Sequence, residues 1–125
     1  SVDAHRVECL MHLRRADDIL RACEVAVRPV LTGKRSNRKV WMRVEEALRR
    51  HAGELEILCL HPLLFTDNGA FKSVERFKCG VVDFLHVLQA RPSQAKDLWD
   101  KKLADELHDA SRAVFRQVDR LVKGQ

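Results

Sequence analysis

The residue of this sequence best placed to do chemistry is His51, which lies between Leu48 and Leu55 on a run of apolar residues with helical spacing. A histidine that faces the inside of a helical bundle could ligate a haem or another metal, but it needs a second ligand on a facing helix. We expect none of the other five histidines to lie on the buried stripe of its helix, and the chain contains no Glu-x-x-His motif of the carboxylate-bridged di-metal bundles. The sequence therefore predicts a partly buried, hydrogen-bonded His51, no metal ligand and no cofactor. A bundle that holds a cofactor through His51 is the third interpretation of the function.

Adjacent carboxylates could act as a general acid and a general base, and such pairs occur at positions 17–18, 45–46 and 105–106. Each pair has Arg or Lys three or four residues away, which is the spacing of solvated ion pairs on a helix. Segment 32–34 has a single glycine and does not match a phosphate-binding loop, and the chain has no G-x-S-x-G nucleophile elbow. The sequence therefore predicts no catalytic residue and a protein that is not an enzyme.

The four cysteines are Cys9, Cys23, Cys59 and Cys79, and none of them forms a C-x-x-C pair. Zinc sites are rarely built from such widely separated thiols, whereas a small buried thiol is common in a helix. We interpret the four as reduced structural thiols. This predicts an intracellular, cytoplasmic protein, because reducing compartments keep thiols free.

Length and composition indicate one compact domain over residues 1–125, with 46% hydrophobic and 33% charged residues. Charged residues interrupt every apolar run well before the roughly 18 consecutive apolar positions that a spanning helix requires. We therefore expect no transmembrane segment and no secretory leader. The net charge of +5 is spread along the chain, which is typical of a mixed, solvated surface rather than of a one-sided basic stripe.

Apolar residues recur at alternating steps of three and four in four segments, at about 2–29, 38–60, 69–90 and 94–123. Pro29, Pro62 and Pro92 mark the interruptions. Asn68, with Ser73 as the later alternative, is the expected cap of the third helix, and Ser93 is that of the fourth. Strand is the competing assignment for 79–88, but the charges there keep helical spacing. The predicted fold is all-α: an antiparallel up-down-up-down four-helix bundle, with segment 63–65 closing one end of the core.

An apolar surplus lies outside the core stripes of the two C-terminal helices. Phe71, Val82 and Leu85 are offset on helix 69–90, and Phe115 and Val122 are offset on helix 94–123. If the two helices are antiparallel neighbours, these residues line one apolar groove. Its expected basic flanks are Lys72, Lys78, Arg112 and Arg116. Such a groove would suit an amphipathic partner helix with acidic flanks. The alternative is that these apolar residues are buried beneath segment 63–65 or a neighbouring helix.

In helix count and length the chain is similar to the focal-adhesion-targeting and vinculin-type adaptor bundles, and this resemblance covers architecture alone. It implies an adaptor or scaffold module that recognises a helical segment of another protein. The runner-up is binding of nucleic acid or an acidic membrane surface through a basic patch. That patch comprises Lys34, Arg35, Arg38 and Lys39, supported by Arg14, Arg15, Arg49 and Arg50. Salt dependence separates the two, because phosphate contacts weaken steeply as salt is added.

Overall fold

The computed structural model of the chain describes residues 2–32 and 37–124, and this part is almost entirely helical, with no strand. Four long helices are present, so the all-α prediction is confirmed, including helix over 79–88. The elements are α1 (Val2–Thr32), α2 (Arg38–Leu58), a 3₁₀ helix (Pro62–Phe65), α3 (Asn68–Ala90), α4 (Pro92–Leu98), a π-helix (Trp99–Leu103) and α5 (Ala104–Lys123). The last three run without a break and together form the fourth helix.

The four long helices surround one apolar core. α1 packs against α2 and α5, and α3 packs against the same two helices, so that the contacts close a ring. The largest fully buried side chains include Leu13, Leu48, Phe77, Phe84 and Leu103, one or more from each helix. The stripes predicted from three-four spacing are therefore the surfaces that the helices bury.

Helix ends differ from the sequence prediction by a few residues. α1 continues three residues past Pro29 to Thr32, because a proline in the last turn removes a single backbone hydrogen bond. The Thr32 hydroxyl donates a hydrogen bond to the Arg28 carbonyl, at 2.8 Å. α3 is capped by Asp67 rather than by Asn68, since the Asp67 carboxylate accepts the backbone N–H of residue 70 at 3.1 Å. The fourth helix starts at Pro92, whose missing N–H costs nothing at the first helical position.

The π-helix in the fourth helix was not predicted. Its first and last residues, Trp99 and Leu103, both face the core, at 4% and 0% exposure. The Trp99 ring packs edge-on against Phe84, with ring centroids 5.4 Å apart, and against Phe77 at 6.2 Å. π-turns inside α-helices occur frequently at functional sites.

Of segment 63–65, Phe65 is fully buried at the end of the core near the 3₁₀ helix, and Leu64 is partly buried. Leu63 is 83% exposed, so the expectation that all of segment 63–65 folds onto the core is wrong. Phe65 instead covers His12, with ring centroids 4.7 Å apart. His12 is buried, contrary to the expectation that only His51 faces the interior, because this segment folds over the side of α1 on which His12 lies.

Candidate binding groove

The residues predicted to line one groove lie on different faces of the bundle. Val82, Lys78 and Leu85 line a depression between α2 and α3, whereas Phe115 lies between α1 and α5. Leu85 is 5% exposed and belongs mainly to the core, so it offers little accessible surface in this depression. Phe71 is partly buried against Phe65, with ring centroids 5.8 Å apart.

The cleft between α3 and α5 itself is polar. Arg112 and Arg116 line it together with Asp67, Ser73 and Arg120. The predicted apolar groove at this contact is therefore not formed. Of the remaining predicted residues, Lys72 is exposed on α3 and Val122 is 63% exposed near the end of α5.

The alternative basic patch falls only partly in the described residues. Lys34 and Arg35 lie outside them. Arg38 and Lys39 form the exposed start of α2, where the Asn37 side chain accepts the backbone N–H of Lys39 at 2.7 Å. Asn37 is thus the N-cap of α2, which fixes where these two basic residues begin the helix.

A row of depressions runs along the contact between α1 and the fourth helix. The first, of about 500 Å³, is lined by Val27 and Leu31 of α1 and by Trp99, Ala104 and Leu107 opposite them. The other two, of about 550 Å³ and about 380 Å³, have Phe115 in their walls. The apolar part of this surface was missed in the sequence because its residues also belong to the core stripes.

Neighbouring depressions share lining residues and so form one continuous surface. His108 and Ser111 belong to the first and the second depression, and Asp17 and Phe115 belong to the second and the third. We name this surface the α1–α5 groove. It comprises Arg14, Asp17, Asp18, Arg21, Glu24, Val27, Arg28, Leu31, Trp99, Ala104, Leu107, His108, Ser111, Arg112, Val114, Phe115, Arg116 and Val118.

Phe115 is the most exposed aromatic residue of the groove, at 67%. It follows the fully buried Val114 by one residue, and a step of about 100° turns its ring out of the core toward α1. A fully covered aromatic side chain buries about 150–250 Å². Covering the exposed part of Phe115 is then worth roughly 2.5–4 kcal/mol at about 25 cal/mol per Å², before any cost of association.

The walls of the groove carry more arginine than carboxylate. Arg21 pairs with Asp17 at 3.0 Å, and Arg28 pairs with Glu24 at 3.6 Å. Among the described residues, no carboxylate pairs with the other arginines of the groove. These are Arg14, Arg112 and Arg116. The surplus of positive charge lies around Phe115.

The depression between α2 and α3, of about 480 Å³, differs in charge. Its margin carries Arg49 and Lys78 against Glu56 and Asp83, so that opposite charges balance. Gly53 also lines it, and a Cβ added there would meet no atom within 4 Å. This surface is open at Gly53, and its charged side chains are balanced in sign.

The histidines and cysteines form no metal centre in the described residues, where no group of three potential ligands lies together. His51 is partly buried and its Nδ1 lies 2.9 Å from the Glu54 carboxylate, as predicted. All four cysteines are free. Burial raises the pKa of the Cys23 thiol to about 12, whereas Cys79 is exposed and so departs from the prediction of four structural thiols.

Comparison of the chain with protein-family models, curated proteins and solved structures finds no match. In residues 2–32 and 37–124, no helix combines the length and the apolar character needed to cross a membrane.

Proposed function

We propose that this chain is a non-enzymatic protein-binding module that holds an amphipathic helix of a partner protein in the α1–α5 groove. The observation that carries the proposal is the continuity of the groove, whose depressions follow one another along two packed helices. Helix-in-groove recognition needs a long concave surface of this kind, with apolar positions at its floor. This is the adaptor role expected from the sequence, moved to a different pair of helices.

The length of the groove supports a helical occupant. From Arg14 to Leu31 the wall formed by α1 extends about 25 Å at 1.5 Å per residue. A partner helix of four to five turns would lie along it and present one stripe of apolar side chains. A short extended peptide would leave most of this surface uncovered.

An antiparallel up-down-up-down arrangement of the helices is part of the proposal. Three contacts support it, because each joins the first half of one helix to the second half of its neighbour. They are the Arg15–Glu54 ion pair, the Gln89–Glu45 hydrogen bond and the Arg120–Asp67 contact at 3.9 Å. In this arrangement, the start of α1 lies beside the end of α5.

The proposal is tested by placing a photo-reactive amino acid at position 115 and, as a matched control, at position 82. Both native side chains are exposed, at 67% and 41%, and they lie in different grooves. The expected result is that position 115 cross-links to a partner segment with an apolar helical stripe and acidic flanks, and that position 82 does not. Equal labelling from both positions contradicts the proposal.

The substitution Phe115→Asp gives a second, independent measurement. It should abolish binding of the cross-linked partner, because a charge would enter a desolvated apolar groove, and should leave the helical circular dichroism signal intact. Val82→Asp is the control and should bind normally. If both variants bind, and reversal of the four basic residues at 34, 35, 38 and 39 to Glu abolishes binding, a nucleic acid or anionic lipid is the ligand instead.

A further inference from the structure

The two ends of the α1–α5 groove differ in chemistry. At the end beside the π-helix, the depression of about 500 Å³ is lined mainly by apolar side chains, among them Leu31, Trp99 and Leu107. Arg28 also lines this depression, and its guanidinium group is paired with the Glu24 carboxylate. This end therefore offers apolar contact with little unpaired charge.

The small size of Ala104 keeps this depression open. Ala104 is the first residue of α5, directly after the π-helix, and only part of its surface is covered by the core. A leucine at this position would project into the space that a partner side chain needs. The depression is large enough for one leucine, phenylalanine or tryptophan side chain.

The end of the groove at Phe115 carries the unpaired positive charge. Arg14 of α1 faces it from one wall, and Arg112 and Arg116 of α5 lie on the other. The carboxylates at this end of the groove are Asp17, which already pairs with Arg21, and Asp18. Carboxylates of a bound helix would pair with the three free guanidinium groups.

From these observations we infer that the partner helix carries one large apolar anchor for the depression beside Trp99 and a group of acidic residues two to three turns away. The inference rests on the proposed function. Ala104 and Phe115 are eleven residues apart on one side of the fourth helix, a distance of about 16 Å. A helix lying along the groove would therefore have anchor and acidic group about 8–11 residues apart in its own sequence.

The test uses a displayed library of helical peptides about 20 residues long, selected on the full chain. The expected sequences have a large apolar residue and two or more Glu or Asp residues about 8–11 positions apart. Ala104→Leu should weaken binding of a selected peptide at least about tenfold, since it fills the anchor site. Ala113→Leu is the matched control, because Ala113 is also a partly buried alanine of α5 but lines the polar cleft with α3.

Charge reversal tests the acidic group. Arg14→Glu should weaken binding about tenfold, and replacement of the peptide's acidic residues by Lys should restore binding to this variant. If Phe115→Asp leaves binding of every selected peptide unchanged, the proposed function fails. If Phe115→Asp abolishes binding but Ala104→Leu and Arg14→Glu do not, the groove stands and this inference is overturned.

Discussion

Replacing Gly53 by alanine should stabilise the fold, although glycine is the native residue. Gly53 lies inside α2, and a Cβ at this position would meet no atom within 4 Å. A glycine inside a helix costs about 0.8–1.0 kcal/mol relative to alanine, since it loses more backbone entropy on folding. Because nothing obstructs the added methyl group, Gly53→Ala should recover most of this free energy of unfolding.

Urea denaturation followed by circular dichroism measures the effect. With a slope of about 1–3 kcal/mol per M, a gain of about 0.8 kcal/mol moves the midpoint upward by about 0.3–0.8 M. Gly80→Ala in α3 is the matched control, because a Cβ there would lie 2.5 Å from Oε2 of Glu106, which must then move. The reasoning is refuted if Gly53→Ala leaves the midpoint unchanged or lowers it, or if Gly80→Ala raises the midpoint equally.

Three further predictions concern the core and the thiols. Burial lowers the pKa of His12, so the unfolded chain binds a proton at this residue more readily than the folded chain does. The melting temperature should therefore be highest above about pH 6.5, the ordinary pKa of histidine, and should fall as the pH drops below it. His12→Gln should flatten this profile. Leu48→Ala or Phe84→Ala should each lower the free energy of unfolding by about 2–5 kcal/mol in the same urea assay, and a loss below about half a kcal/mol would place that residue outside the core. A thiol reagent should label Cys79 at once and Cys23 only on unfolding, while added reductant leaves the melting temperature unchanged; simultaneous labelling would contradict the burial difference.

The sequence was sufficient to predict the helices and their buried stripes, although Leu85, expected beside the stripe of α3, belongs to the core. Val82 follows the buried Val81, and Phe115 follows the buried Val114, so both were correctly placed off the core stripe. Which neighbour packs on that side depends on whether the ring of four helices turns clockwise or anticlockwise. The periodicity of the apolar residues is the same for both senses of the ring. For this reason Val82 and Phe115, predicted to share one groove, lie in two different grooves.

His12 shows a second limit of the sequence. It precedes Leu13 by one residue and by spacing alone lies at the margin of the buried stripe. Its burial depends on Phe65, a residue more than 50 positions away in a segment with no helical periodicity. Short-range patterns carry no information on where such a segment folds.

The π-helix sets the rotational phase of the second half of the fourth helix. Such a turn amounts to an α-helix with one residue inserted, and one residue corresponds to a rotation of about 100°. If the same five residues of Trp99–Leu103 wound as a regular α-helix, every following side chain would therefore be turned by about this angle relative to α4. Val114 would then leave the core and Phe115 would leave the α1–α5 groove, so the winding of this one turn decides which side chains of α5 face α1.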